Sequence, residues 1–211
     1  MFSPNKTVTP LAFNINLFKS FNTKQMEQNK HRVCPWWIGY LLLIPLRKIS
    51  NNPYKILGPH IKEGMNVLDY GCAMGYFSLP LAHMTGVKGN VYCIDIQEKM
   101  LEKLQKRADK AGLAQMIKTR MVGKTYNTDE LLSQIDFVML FFVAHEVSDQ
   151  ENLFKDLFKM VKPGGKVLFA EPKGHVTPDD FENSLRLAKS AGFMVSEEKP
   201  MPRGLSAFLL K

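Results

Sequence analysis

The apolar positions from residue 61 onward alternate between short continuous runs and segments in which apolar residues lie three or four positions apart. Runs of this length predict buried strands, and the spaced segments predict amphipathic helices. The predicted strands are Asn66–Tyr70, Asn90–Asp95, Met116–Val122, Asp136–Val143 and Lys166–Glu171. The predicted helices are Tyr76–Met84, Glu98–Ala111, Gln150–Met160 and Pro178–Ala191. Regular alternation of strand and helix indicates an α/β fold, with a mostly parallel sheet and helices on both faces.

The C-terminal part of the pattern carries its own turn and cap signals. The KPGG segment Lys162–Gly165 predicts a turn before the fifth strand, while Phe193–Glu198 and Leu205–Leu210 predict a closing pair of strands. Thr177 is a suitable cap for the last helix, because a threonine hydroxyl accepts from first-turn N–H groups. Pro178 then occupies the first helical position, where its missing N–H costs nothing.

Composition divides the chain into three regions. Residues 1–30 are polar and predict a flexible basic arm, residues 31–60 are aromatic and predict a helical lid or cap, and residues 61–211 form the α/β domain. Residues 1–62 hold nine Lys and Arg against one acid, which accounts for the whole formal net charge of +8. Such an arm suits nucleic acid, an anionic membrane surface or an anionic substrate, and equally suits a solvated tail.

Cysteine content and hydropathy indicate an intracellular protein. Cys34, Cys72 and Cys93 are odd in number and irregularly spaced, so they predict neither a disulfide framework nor a metal site. The longest apolar stretch, Trp36–Leu46, has 11 residues and is too short to cross a bilayer. We therefore expect a cytoplasmic location without a transmembrane segment.

A glycine-containing turn follows the first predicted strand. Gly71 and Gly75 lie between that strand and the next helix, where missing β-carbons let backbone approach a ligand and helix N–H groups suit an anion. Asp95 ends the second strand, twenty residues after Gly75, where a carboxylate can accept both ribose hydroxyls of a nucleoside. The alternative is that the glycines only permit tight packing and that Asp95 is a helix N-cap.

These residues resemble the motifs of class I S-adenosyl-L-methionine (SAM)-dependent methyltransferases. Asp69–Gly75 reads Asp-x-Gly-x-x-x-Gly, similar to their motif I, and Asp95 is similar to their acidic motif II. Asp136–Val138 resembles the start of their fourth strand, and Leu157–Glu171 resembles their following helix, KPGG turn and fifth strand. The resemblance covers Pro53–Lys211. It implies a Rossmann-like, seven-stranded, mostly parallel sheet whose last strand is antiparallel.

The resemblance also implies roles for the cofactor-binding residues. Asp69 would orient the loop or the ammonium group of SAM, and Asp95 would hold the ribose. The other implied cofactor contacts are Gly71, Cys72, Ala73 and Gly75 under the methionine part, Ile96 against the adenine, and Phe142 beside the methyl group. The sequence departs from the family in two places. Ala73 replaces a usual glycine, and Gly123-Lys124 stands where an acidic residue often contacts the adenine amine.

Ionisable residues after the fourth and fifth strands are candidates for catalysis and acceptor binding, since open α/β sheets bind ligands at the carboxyl ends of their strands. His145 is a candidate general base, with Glu146 orienting it or touching the substrate. The alternative for His145 is a helix cap. Lys173 and His175 could hold an anionic acceptor or be ordinary loop residues.

The paired tryptophans Trp36 and Trp37 lie where this family often places a substrate lid. Exposing two such side chains is unfavourable, so we expect them to bury against the acceptor, the adenine or the domain itself. Nearby His31 and Cys34 are too few to predict a metal site.

The predicted function is transfer of a methyl group from SAM to a small, partly apolar acceptor. The motifs most resemble the group that contains ubiquinone and menaquinone biosynthesis methyltransferases. RNA methylation is an alternative that the basic arm suggests, although FVAHE (142–146) lacks the Asn/Asp-Pro-Pro-aromatic motif of amino-methylating enzymes. An NAD-dependent oxidoreductase is a second alternative, although the turn lacks the second glycine of G-x-G-x-x-G. A non-catalytic protein that keeps the SAM fold is a third.

Overall fold

A computed structural model of the chain describes residues 51–123, 127–197 and 204–211, together with Trp36, Gly39 and Leu43. The predicted basic arm, most of the predicted cap, Trp37 and Lys124 lie outside these described residues.

The described residues form one seven-stranded sheet. Its strands are β1 Asn66–Tyr70, β2 Asn90–Asp95, β3 Ile117–Met121, β4 Ile135–Phe141, β5 Val161–Pro172, β6 Met194–Glu197 and β7 Gly204–Leu210. The strand order is β3-β2-β1-β4-β5-β7-β6. Strands β1 to β5 pair in parallel, whereas β7 is antiparallel to both β5 and β6. This topology confirms the predicted fold class.

Helices precede the first strand, connect most of the parallel strands and follow β5. They are α1 Pro53–Leu57, α2 Ser78–Thr85, α3 Glu98–Lys110, α4 Gln150–Met160 and α5 Pro178–Ser190, with short 3₁₀ helices at Thr128–Leu131 and Ala144–Glu146. The predicted cap of α5 is confirmed, because Thr177 and Asp180 form a reciprocal capping box and Pro178 follows the cap.

The central strand β4 explains the near-continuous apolar run in the sequence. Phe137 and Met139 pack into one core cluster, while Val138 and Leu140 pack into the cluster on the opposite face of the sheet. Because successive strand residues point to opposite faces, a strand covered on both sides must be apolar at every position.

The KPGG segment differs from its prediction as a separate turn. Lys162–Gly165 lies inside β5, which starts at Val161 and pairs with β4 through a register shift between Ile135 and Phe137. The N–H of Gly164 donates to the carbonyl of Lys211 at 2.7 Å. The register shift accommodates the segment between the paired residues Val161 and Lys166, so the segment stays within the strand.

Tight packing requires both glycines of the β1–α2 loop. Gly71 and Gly75 have φ values of +76° and +81°, in the left-handed region that favours glycine. A β-carbon on Gly71 would lie 2.5 Å from Cγ2 of Val143, and one on Gly75 would lie 2.2 Å from Cδ1 of Leu104. Tight packing is therefore sufficient to explain why both positions are glycine. The spacing of the two glycines alone does not indicate a ligand.

Gly75→Ala should destabilise the protein more than Gly112→Ala. Both positions have positive φ, which costs an L-residue about 1–2 kcal/mol. Nothing lies within 4 Å of a β-carbon at Gly112, whereas at Gly75 it would overlap Leu104, which is fully buried. Overpacking of this kind adds about 1–3 kcal/mol. Urea denaturation measures the difference, and equal losses in the two variants would contradict the packing account.

Candidate active site

Asp95 ends β2 with its carboxylate turned toward the β1–α2 loop. One carboxylate oxygen accepts the N–H of Ala73 at 2.9 Å, and the other accepts the N–H of Gln97 at 2.8 Å. Burial raises the pKa of Asp95, while its backbone donors oppose that rise. The N-cap of α3 is Gln97, so Asp95 is not the N-cap residue that the alternative proposed.

The β1–α2 loop rests on β2 through its backbone. The N–H groups of Gly71 and Cys72 both donate to the carbonyl of Ile94, at 2.8 and 3.0 Å. The Cys72 side chain is buried in the core, and this burial raises the pKa of its thiol. Cys72 can therefore contribute backbone to a binding site, but its thiol is not placed as a nucleophile.

Two contacts hold the loop, one across its ends and one at its middle. Asp69 in β1 accepts the hydroxyl of Ser78 at 2.6 Å, which ties the strand to the first residue of α2. Arg107 of α3 donates to the carbonyl of Met74 in the middle of the loop. The first contact agrees with the predicted role of Asp69 in orienting the loop, and its role toward the SAM ammonium stays a prediction.

The residues at this edge fit the nucleoside part of SAM. Each carboxylate oxygen of Asp95 accepts one backbone N–H and keeps further acceptor capacity, which matches the two hydroxyl donors of a ribose diol. Asp95 is 9% exposed, so its carboxylate is largely desolvated. Ile96 is half-buried next to it, and its backbone N–H also points toward the Asp95 carboxylate.

His145 and Glu171 form a close pair at the ends of β4 and β5. Nδ1 of His145 lies 2.6 Å from Oε2 of Glu171, and the backbone N–H of His145 donates to Oε1 at 3.0 Å. The hydrogen bond that His145 donates to Glu171 raises the pKa of His145. The sequence suggests Glu146 as the residue that orients His145 or touches the substrate. The residue bonded to the His145 ring is instead Glu171, and contact of Glu146 with the substrate stays a prediction. The helix-cap alternative for His145 is wrong, because the side chain that caps α4 is Asp149.

Glu146 follows His145 in the short 3₁₀ helix after β4. Burial raises its pKa, and the carboxyl interacts electrostatically with His145, Asp95, Glu171 and His175. Because β2, β1 and β4 pair in parallel, Asp95 and His145 lie at the same edge of the sheet, where the carboxyl ends of the strands meet.

Phe142 directly follows β4, and an aromatic row connects it with the β1–α2 loop. Its φ of +62° is unusual for a residue with a side chain, and backbone strain of this kind clusters at functional sites. Its ring stacks on Phe141 with centroids 4.1 Å apart, and Phe141 in turn contacts Phe77 at 4.8 Å. Phe77 ends the β1–α2 loop, so this aromatic row holds Phe142 beside the predicted cofactor site.

An open hollow of about 400 Å³ lies beyond β5. Its lining comprises Lys173, Gly174, His175, Val176, Thr177, Pro178 and Leu205. Lys173 and His175 are exposed at this loop, and the imidazole centroid of His175 lies 5.9 Å from that of His145. The structure therefore brings His175, one of the predicted acceptor residues, next to His145, and places Lys173 in the lining of the same hollow.

Trp36 contacts the domain on the other side of the site. The Nζ atom of Lys99, in the first turn of α3, lies 5.1 Å from the centre of the Trp36 ring. A β-carbon on nearby Gly39 would meet Met74 and Met100, so Gly39 packs against the loop and α3. The lid position and a role in acceptor binding stay predictions.

Sequence reasoning missed three residues of this site: Ser78, Arg107 and Glu171. Each acts through a partner outside its own strand or helix, and the resemblance implied no role for any of the three. Glu171 ends the fifth predicted strand, but only the order of the strands in the sheet shows that it lies beside His145.

Within the described ranges, no cluster of three or more His, Cys, Asp or Glu side chains is arranged to hold a metal ion. Among the same residues, no helix has the length and apolar character needed to cross a membrane.

Asp95→Asn should weaken SAM binding about tenfold or more, because a hydrogen bond to a charged acceptor contributes roughly 1.5–3 kcal/mol. Isothermal titration calorimetry measures the dissociation constant. Glu102→Gln on the exposed face of α3 removes the same charge and should leave the affinity unchanged. Equal affinities of Asp95→Asn and the unaltered protein would contradict the assignment of Asp95 to the ribose.

Known proteins resemble this chain in sequence and in fold. The family described as a methyltransferase domain matches residues 61–201. The demethylmenaquinone methyltransferase of Geobacillus sp. is 28% identical over 112 residues, which are 53% of this chain and 47% of that protein. The enzyme of that name from Bacillus cytotoxicus is 30% identical over 111 residues, covering 53% and 46%. The chain thus spans about half the length of the curated relatives it matches.

A solved structure shares the fold over a greater length. The crystal structure of a SAM dependent methyltransferase from Aquifex aeolicus superposes with a TM-score of 0.72 at 24% identity, covering 84% of this chain and 98% of that one. The family match spans more than half of the sequence, and the sheet has seven strands with β7 antiparallel. The chain therefore belongs to the class I SAM-dependent methyltransferase family.

Proposed function

We propose that this protein transfers a methyl group from SAM to a small, partly apolar acceptor, with His145 as general base. The observation that carries the proposal is the 2.6 Å contact between Nδ1 of His145 and the buried carboxylate of Glu171, at the same carboxyl edge of the parallel sheet where Asp95 ends β2. Methylation of an acidic acceptor group requires a binding site for the nucleoside of SAM and a group that takes a proton. Asp95 would supply the first and His145 the second.

The residues of the chain divide the work between binding and proton transfer. When bound, SAM supplies a methyl group on a positively charged sulfur, which needs alignment more than a covalent partner. Asp95 and the β1–α2 loop hold the nucleoside in place. His145 takes the proton of the acceptor through Nε2, since Nδ1 is engaged with Glu171.

The hollow beyond β5 is the proposed acceptor site. Val176, Pro178 and Leu205 give it apolar walls, which suit an apolar body. Lys173 and His175 lie at the same loop and can hold a polar or anionic group near His145. The names of the relatives from Geobacillus sp. and Bacillus cytotoxicus, demethylmenaquinone methyltransferases, support an acceptor of partly apolar character.

Because the chain belongs to the methyltransferase family, we discard the alternative of an NAD-dependent oxidoreductase. RNA methylation stays an untested alternative, because most basic residues of 1–62 lie outside the described part of the chain. Contact of the basic arm with an anionic membrane surface is untested for the same reason.

Methyl-labelled SAM should label a small apolar acceptor and not RNA. The assay offers the protein a short-chain demethylmenaquinol, other hydroxylated aromatic compounds and total RNA in parallel, and measures the label in each. His145→Gln should lower kcat about 100-fold or more, which is the contribution of a positioned general base. The control Glu102→Gln should keep the rate. Label in RNA alone, or an undiminished rate in His145→Gln, would contradict the proposal.

The pH dependence of kcat/KM should show an acid limb set by His145. Glu171 raises the pKa of His145 above the ordinary 6.5, and only the neutral imidazole can take a proton. Activity is therefore expected to rise with pH through that raised value and to level off above it. The limb should disappear in His145→Gln. A flat profile between pH 5 and 8 in the unaltered protein would show that His145 does not act as the base.

A further inference from the structure

The geometry points to Glu171 as the positioning residue that fixes the tautomer and the basicity of His145. This inference rests on the proposed function for its catalytic meaning, but the geometry of the pair stands apart from any acceptor. Neither the sequence motifs nor the family match assigns a role to Glu171.

Glu171 holds His145 by two atoms at once. Oε1 accepts the backbone N–H of His145 at 3.0 Å, and Oε2 lies 2.6 Å from the ring atom Nδ1. Two bonds from one carboxylate restrict both the backbone position and the rotation of the ring. An imidazole held in this way presents its other nitrogen in one fixed direction, which is what efficient proton transfer requires.

The contact also selects the tautomer of His145. An ionised carboxylate can only accept hydrogen bonds, so the proton of the neutral ring must be on Nδ1. Nε2 then carries the lone pair in the neutral form, and it gains the proton when the ring becomes charged. Nδ1–H···Oε2 persists in both states, so proton transfer at Nε2 needs no rearrangement of the pair.

Burial makes the charge of Glu171 effective. The residue is 1% exposed, so water does not screen its carboxylate from the ring. When the acceptor loses its proton, the bonding electron pair stays on the acceptor atom and the proton forms a bond to Nε2. The positive charge that appears on the ring then lies beside the buried negative charge, which agrees with the raised pKa of His145.

Other ionisable groups face His145, and they do not replace Glu171. Glu146, on the same short helix, adds a smaller electrostatic rise to the pKa of His145, and His175 contacts the ring from the loop after β5. The backbone N–H and the ring atom Nδ1 of His145 both bond to Glu171. Burial raises the pKa of Glu146, and its carboxyl also interacts electrostatically with Asp95.

Nuclear magnetic resonance of the protein labelled with ¹⁵N-histidine tests this inference without any acceptor. In the unaltered protein, neutral His145 should carry its proton on Nδ1 and titrate with a pKa above 6.5. Glu171→Gln removes the charge at nearly constant shape and should lower that pKa by about 1 or more. Glu182→Gln removes the same charge from an exposed position of α5 and should leave the pKa unchanged.

Three results would overturn the inference: a proton on Nε2 of neutral His145, an unchanged pKa in Glu171→Gln, or a larger fall in Glu146→Gln than in Glu171→Gln. Should Glu171→Gln fail to fold, the tautomer of the unaltered protein still decides. In the labelled-SAM assay, Glu171→Gln should move the acid limb of kcat/KM to lower pH. A correct tautomer without methyl transfer to any acceptor would refute the proposed function alone.

Discussion

The local structure of the site depends on three carboxylates that are buried at one edge of the sheet. Asp69, Asp95 and Glu171 are the acids that are less than a tenth exposed in the described chain, at 4%, 9% and 1%. Each lies at or near the carboxyl end of a parallel strand. A buried carboxylate is costly unless donors satisfy it, so the local chain must bring them. The donors are the Ser78 hydroxyl for the first, backbone N–H groups for the second and His145 for the third.

The same constraint divides the site into two halves. On β1 and β2, the carboxylates organise a loop whose backbone is held by Ile94 and whose glycines pack without space for side chains. On β4 and β5, Glu171 holds an imidazole next to an open hollow. Glu146 interacts electrostatically with groups in both halves. The proposed sites of cofactor binding and proton transfer thus lie at the carboxyl ends of strands in one parallel sheet, which fixes their spacing.

Local patterns predicted the fold well and the site only in part. Gln150–Met160 has the predicted bounds, because its helical spacing and its boundaries are local. Lys162–Gly165 was predicted as a turn because proline and glycine mark turns, but pairing with distant strands retains it in β5. The partner of His145 was sought in neighbouring Glu146. The real partner, Glu171, is 26 residues away and approaches only because β4 and β5 are adjacent.

The central claim is that Asp95 and the loop beside it bind the nucleoside of SAM while His145 faces the reacting groups. A crystal structure of the protein with S-adenosylhomocysteine tests this most directly. The account predicts both ribose hydroxyls on the Asp95 carboxylate, and the sulfur on the side of the site where Phe142 and His145 lie. A ligand bound elsewhere, with Asp95 still bonded only to Ala73 and Gln97, would contradict it.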